Sequence, residues 1–192
     1  MSRSWCGPND PDPTVVQIGA VRVSLTEGLP IDDTKTIYVI PKDRKGQRCP
    51  LDPFFTELTG VTEQDIDLYG VPLQQALEEL SSFAGDSILW AWGHDDRTMM
   101  ALSCYIEGIA PNIPATQFEN AARILLRAGM PYDDLVKTNS GRLAKYFDLP
   151  EAETISEHDG LSDALSITYA MQHLEREGKL DPLWLSETMY SV

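Results

Sequence analysis

An imidazole and a carboxylate near the C-terminus are spaced so that they could act together in catalysis. Asp163 lies in the first turn of a helical pattern, and His158 precedes it by five residues in the loop that leads into the helix. The helix dipole keeps such a carboxylate ionised, and Mg²⁺ and Mn²⁺ prefer oxygen ligands. His158 could then accept a proton from a water bound to the metal. Taken alone, the spacing is better explained by a loop histidine and an ordinary first-turn aspartate.

A third candidate, Asp96, follows an apolar run. The segment from Ile88 to Trp92 predicts a buried strand, and Gly93 breaks it. A carboxylate just past the end of a buried strand lies where α/β sheets usually hold their sites. The simpler interpretation is that Asp95 or Asp96 caps the next helix, and for the residue alone that interpretation is preferred.

Two arginines, Arg123 and Arg127, share one face of a predicted helix and are the best candidates for contacts with phosphates. A solvated helix face is the more common explanation for such residues and is the preferred one. The net charge of −15 argues against broad electrostatic binding of nucleic acid, which normally needs clustered Lys and Arg. It does not exclude an enzyme that holds a few nucleotides through metal ions.

The elements that must position these residues follow from the periodicity of the chain. Two Val- and Ile-rich runs, Val15 to Leu25 and Thr34 to Ile40, predict a β-hairpin. Helices are predicted from Pro53, from Pro72 and, with Ser162 as the N-cap, towards Gly178. The order of hairpin, helices, strand and helices predicts an α/β fold in which a mixed sheet is flanked by helices.

The composition predicts a single cytoplasmic domain. The chain has 192 residues, with hydrophobic and charged contents of 42% and 23%, which suits one core of ordinary size. No apolar run approaches the roughly 20 residues that span a bilayer, and no secretory leader is visible. Three scattered cysteines, Cys6, Cys49 and Cys104, suit a reducing compartment. We expect one domain over residues 1–192, with 1–13 as a loop and 180–192 as a C-terminal tail.

Taken in order, these segments resemble the DnaQ-like, DEDDh-type 3′–5′ exonucleases. His158 to Ala164 is similar to that family's third motif, His-x-Ala-x-x-Asp-Ala, with Gly160 in place of the first Ala. Trp92 to Asp96 is similar to its second motif, Trp-Gly-x-x-Asp, and aligns Asp96 rather than Asp95. The other two matches are Val15 to Val23 with its second strand and Glu57 to Thr62 with its Leu-Thr-Gly-Ile-Thr segment.

The resemblance implies a ribonuclease-H-like fold and hydrolysis of phosphodiester bonds at the 3′ end of single-stranded RNA or DNA. It implies two divalent cations, Mg²⁺ or Mn²⁺, that clamp the attacking and leaving oxygens. Asp163 would be a metal ligand, Asp96 would support the metals through water, and His158 would be the general base. Homodimers are common among nuclease relatives, which makes a homodimer an expectation by analogy.

The family's first motif, an Asp-x-Glu on a central first strand, has no match. Ser2 to Pro13 resembles the loop that follows this strand, and Asp10 and Asp12 lie between prolines that suit no central strand. Three explanations follow. The present chain starts downstream of the natural start, which is the favoured one; the two flanking strands pair directly or borrow a partner's strand; or the chain is a non-catalytic relative that binds nucleic acid or protein.

Overall fold

The computed structural model describes residues 12–187, so the expectation for the N-terminal loop lies almost wholly outside the described residues. The described part opens with the predicted hairpin, in which β1 (Gln17–Val23) pairs antiparallel with β2 (Ile31–Tyr38). Gln17 lies opposite Tyr38, and the register shifts after Arg22. The ladder continues for one pair beyond β1, since the amide of Val39 donates to the carbonyl of Val16 over 2.8 Å.

Three helices follow the hairpin, and the first and third begin where the sequence predicts, at Pro53 and directly after Pro72. They are α1 (Pro53–Thr59), α2 (Glu63–Tyr69) and α3 (Leu73–Ala84). Asp52 caps α1 by accepting from the amide of Phe54, and Thr62 and Asp65 form a reciprocal capping box at α2. Four residues of the apolar face of α3 are buried and pack with β2 in one hydrophobic cluster: Leu73, Ala76, Leu77 and Leu80.

A second pair of strands lies apart from the hairpin. Strand β3 (Leu89–Ala91) runs parallel to β4 (Phe118–Asn120), and α4 (Asp95–Glu107) lies between them in the chain. Within residues 12–187 the strands therefore form two separate two-stranded sheets rather than one continuous mixed sheet. Strands β1 and β3, which would flank the missing first strand, do not pair directly within the described part. Direct pairing is therefore wrong for residues 12–187, and a strand borrowed from a partner stays a prediction.

The C-terminal half consists of α5 (Ala121–Arg127), α6 (Tyr132–Leu135), α7 (Leu143–Tyr146) and α8 (Gly160–Arg176). Short 3₁₀ turns cover 115–117, 140–142, 150–154 and 182–186. Helices α5, α7 and α8 share the largest core cluster, and the tail joins it through Leu180 and Leu185. The indole of Trp90 fixes that tail by donating to the carbonyl of Leu185 over 3.0 Å. No helix within 12–187 is both long and apolar enough to cross a bilayer.

The cap of α8 differs from the prediction. Asp159 is the N-cap and accepts from the amide of Ser162, so Ser162 lies inside the first turn. Gln17 in β1 explains why the helix starts earlier, because its side-chain amide forms hydrogen bonds to two residues at the start of α8. It donates to Asp159 over 2.7 Å and accepts from the amide of Gly160 over 2.8 Å.

Strand β1 and the start of α8 make backbone contact at two glycines. A Cβ on Gly19 would overlap the backbone of Gly160 and Leu161. A Cβ on Gly160 would lie 3.1 Å from the amide nitrogen of Gly19 and 3.2 Å from Oε1 of Gln17. The helix therefore sits on the strand without intervening side chains, which fixes the height of its first turn above the sheet.

We expect Gly19→Ala to lower the free energy of unfolding by about 3 kcal/mol or more, because the added methyl meets backbone that cannot move aside. Urea denaturation measures this. Gly46→Ala is the matched control: it has open space around it but a φ of 76°, so it should cost only about 1–2 kcal/mol. Equal losses in the two variants would contradict the close approach.

Candidate active site

One cavity of about 680 Å³ lies between β1, β3 and α8, and we call it the central cavity. Asp96 lines it together with His158 and Asp163, although more than 60 residues separate Asp96 from the other two in the chain. Ser140 joins them from the 3₁₀ turn before α7. The structure therefore brings the three sequence-predicted site residues to one place.

Asp163 is the most firmly held of these side chains. Its Oδ2 accepts from the hydroxyl of Ser140 over 3.0 Å, and its Oδ1 accepts from the backbone amide of His158 over 3.2 Å. Desolvation by burial raises the pKa of Asp163 above its ordinary value, and the two hydrogen bonds and the nearby imidazole of His158 partly offset this. The carboxylate is thus oriented by two different segments of the chain.

Sequence patterns do not identify two further residues of this site. The pattern at Ser140 indicates only a helix start, and the structure makes this residue a donor to Asp163. Gly141 is buried, and a Cβ there would overlap Oδ1 of Asp163. The signal in the sequence is weak, since a Ser-Gly pair before a helix is a common turn.

His158 has an unusual backbone for a residue with a side chain. Its φ is 70°, in the left-handed region that non-glycine residues seldom occupy. The conformation directs its amide to Asp163, and its side chain is exposed at the cavity. Backbone in sparsely populated conformations clusters at active sites and ligand-binding segments.

Asp96 faces the same cavity from the first turn of α4 and does not serve as the cap, since His94 occupies that position. Its side chain is accessible to solvent through the cavity but is surrounded by protein on most sides. Desolvation raises the pKa of Asp96, and the negative charges of Asp95 and Asp163 raise it further. Asp163 is therefore close enough to interact electrostatically with Asp96.

The donor set fits only part of a metal site. Asp96 and Asp163 offer hard oxygen ligands to one cavity, and a cation between them would relieve their repulsion. Within residues 12–187, however, no three Asp, Glu, His or Cys side chains are grouped so that they could hold a metal ion together. The described residues do not make a complete two-metal site.

The predicted phosphate-binding arginines lie elsewhere. Neither Arg123 nor Arg127 lines the central cavity. Arg127 stacks on the ring of Trp184 with its guanidinium carbon 3.9 Å from the ring centroid, and it pairs with Glu187 at 3.3 Å. Arg123 pairs with the buried Glu119 at 3.6 Å. Contact with nucleic acid stays a prediction for both residues.

Comparison with known proteins supports the fold. The crystal structure of a full-length 3′-exonuclease superposes with a TM-score of 0.65 at 18% sequence identity, over 87% of this chain and 55% of that chain. The present chain thus spans about half the length of that protein. At this identity the likeness shows that the described part has an exonuclease-like α/β fold. The sequence matches no protein-family profile and no curated protein.

We expect Asp96→Asn to stabilise the protein near pH 7, because the substitution removes a charge that burial and Asp163 disfavour. As the pH falls through the raised pKa of Asp96, the parent takes up a proton at Asp96, and the difference in the free energy of unfolding between variant and parent shrinks. It should vanish below the ordinary aspartate pKa of 3.8. Urea denaturation across this range tests it, with the exposed Asp33→Asn as the control. A stability gain of Asp96→Asn that does not change with pH would show that the buried charge of Asp96 is not its cause.

Proposed function

We propose that this chain is a metal-dependent 3′–5′ exonuclease domain of the DEDDh type that hydrolyses phosphodiester bonds at the 3′ ends of single-stranded RNA or DNA. The observation that carries the proposal is the meeting of Asp96, His158 and Asp163 at one cavity. These residues belong to two sequence motifs that lie far apart in the chain, and unrelated motifs have no reason to converge. The exonuclease-like fold adds support.

The geometry supports the proposed roles. Asp163 is held by Ser140 and by the amide of His158, so it presents its remaining lone pairs to the cavity. The imidazole of His158 lies close to Asp163 and reaches solvent, which suits a general base that takes a proton from water. Asp96 adds a second negative charge, close enough to Asp163 for the two carboxylates to interact electrostatically.

Mg²⁺ or Mn²⁺ is the proposed cofactor, with Asp96 and Asp163 as ligands and the other ligands from outside residues 12–187. Bound there, a divalent cation would neutralise phosphate charge and lower the pKa of a water molecule. A second function has its own observation. Because the described residues hold no group of three ligands, the fold would also suit a non-catalytic module that binds nucleic acid or protein.

The test is digestion of 3′-labelled and 5′-labelled single-stranded RNA and DNA by the 192-residue chain with Mn²⁺. We expect shortening from the 3′ end that stops in EDTA. Loss of the general base in His158→Ala should slow the reaction by about 10²–10⁴-fold. Asp163→Asn should abolish the reaction, since the amide is a poorer ligand than the carboxylate for a hard cation.

Asp33→Asn is the matched control, because Asp33 is an exposed aspartate of β2 that does not line the cavity. Its activity should equal that of the parent. Folding of every variant is checked by circular dichroism. If the parent folds but neither cuts the substrates nor binds Mn²⁺ in calorimetry, the enzyme proposal fails and the binding module is the better account.

A further inference from the structure

The 3₁₀ turn that binds Asp163 also contacts the loop ahead of α8. Nε of Arg142 donates to Oε2 of Glu157 over 2.8 Å. A Cβ on Gly141 would lie 3.2 Å from Cα of Glu157, so the backbone of the loop lies directly against the turn. Glu157 immediately precedes His158 in the chain. The same turn therefore contacts both the proposed metal ligand and the segment that carries the proposed base.

This turn is itself bonded to the core of the molecule. Oδ1 of Asn139 caps it by accepting from the amide of Arg142 over 3.1 Å. Two residues further on, Ala144 is fully buried, and its amide donates to Oγ of the buried Ser166 in α8 over 3.0 Å. The arginine that reaches Glu157 thus extends from backbone that is fixed to α8.

His158 lies between two anchored neighbours. On one side, Asp159 accepts from the side-chain amide of Gln17 over 2.7 Å. On the other side, Glu157 pairs with Arg142. The φ of 70° at His158 is unfavourable for a residue with a Cβ and persists only where the surroundings impose it. Anchors on both sides impose it, because they fix where the chain enters and leaves this residue.

We propose that Arg142 is a positioning residue, whose ion pair with Glu157 holds the backbone of His158 in its left-handed conformation and so keeps the imidazole at the central cavity. The inference rests on the proposed function, in which His158 is the general base. Arg142 is exposed and does not line the cavity, so its action on the site goes through Glu157.

The effect of this ion pair on position should exceed its effect on stability. More than half of the Arg142 side chain is exposed, at 54%, and solvent screens an ion pair of this kind. A displacement of about 1 Å in a reacting group, by contrast, can slow a reaction by about 10²-fold. Loss of Arg142 should therefore leave folding intact and change the loop alone.

The test compares Arg142→Met with the parent by amide hydrogen exchange in the metal-free, 192-residue chain. Methionine retains an unbranched apolar stem and removes the charge and the donors. The amide of His158 donates to Asp163, and we expect its exchange to become about tenfold faster as the loop is released. Exchange at the buried Ala170 in α8 and the urea midpoint should not change.

Three further variants identify the ion pair as the cause. Glu157→Met should accelerate exchange at His158 by the same factor, and adding Arg142→Met should have no further effect, because either change removes the same pair. Arg142→Lys retains the charge and should restore most of the protection. Arg48→Met is the matched control, since Arg48 pairs with two carboxylates of α2 and does not line the cavity.

Kinetics give a second readout in a parent that cleaves single-stranded RNA or DNA. There, Arg142→Met should lower kcat by about tenfold or more and leave KM unchanged, because a misplaced base affects the transition state and not substrate binding. A folded parent that cleaves nothing would count against the exonuclease proposal, whereas exchange at His158 still decides whether Arg142 holds the loop.

Three results would overturn the role of Arg142. The first is unchanged exchange at His158 in Arg142→Met. The second is equal acceleration at His158 and Ala170, which would make the arginine a contributor to overall stability only. The third, in an active parent, is an unchanged kcat despite faster exchange at His158. Acceleration that is confined to the loop and reversed in Arg142→Lys supports the role.

Discussion

Direct backbone contact between a strand and a helix sets the geometry of this molecule. Gly19 in β1 and Gly160 at the start of α8 approach so closely that Gly19 has no room for a side chain and Gly160 has little. The side-chain amide of Gln17 completes the joint by bonding to Asp159 and to the amide of Gly160. The steric contact between the glycines fixes the height of α8 above β1. The hydrogen bonds from Gln17 are directional, so they fix the rotation of the helix.

The candidate site depends on that joint. Asp163 lies one turn into α8, so its position over the cavity is set by where the helix begins. His158 lies just before the cap and takes a left-handed backbone that brings its amide to Asp163. Ser140 and Gly141 close the arrangement from a different segment, one by donating a hydrogen bond and the other by leaving room for the carboxylate.

Local signals in the sequence predict local structure well. Helices begin at Pro53 and directly after Pro72, close to the predicted starts, and the hairpin forms over the predicted runs, because caps and turns depend on a few neighbouring residues. The predicted cap of α8 is wrong because Asp159 and Ser162 are both good caps, and a contact from Gln17 decides between them. Long-range contacts of this kind leave no local trace.

The same limit applies to the site. The three predicted residues can be chosen by motif, and the structure places them at one cavity, while their catalytic and metal-binding roles stay predictions. The steric role of Gly141 and the separation of the strands into two sheets depend on packing between distant segments. No pattern within a window of about 10 to 20 residues carries that information.

The hydrogen bond between Gln17 and Asp159 also determines the order in which parts of the site form during synthesis and folding. This bond links residues 142 positions apart, so it closes a loop that contains most of the chain. Such a closure carries a large entropic cost and comes after local elements have formed. A ribosome releases the N-terminal part first, so Asp96 is exposed well before Asp163 has been synthesised. The nascent chain therefore remains without its carboxylate pair until α8 has emerged, so the two side chains can meet at the cavity only after that helix has been synthesised.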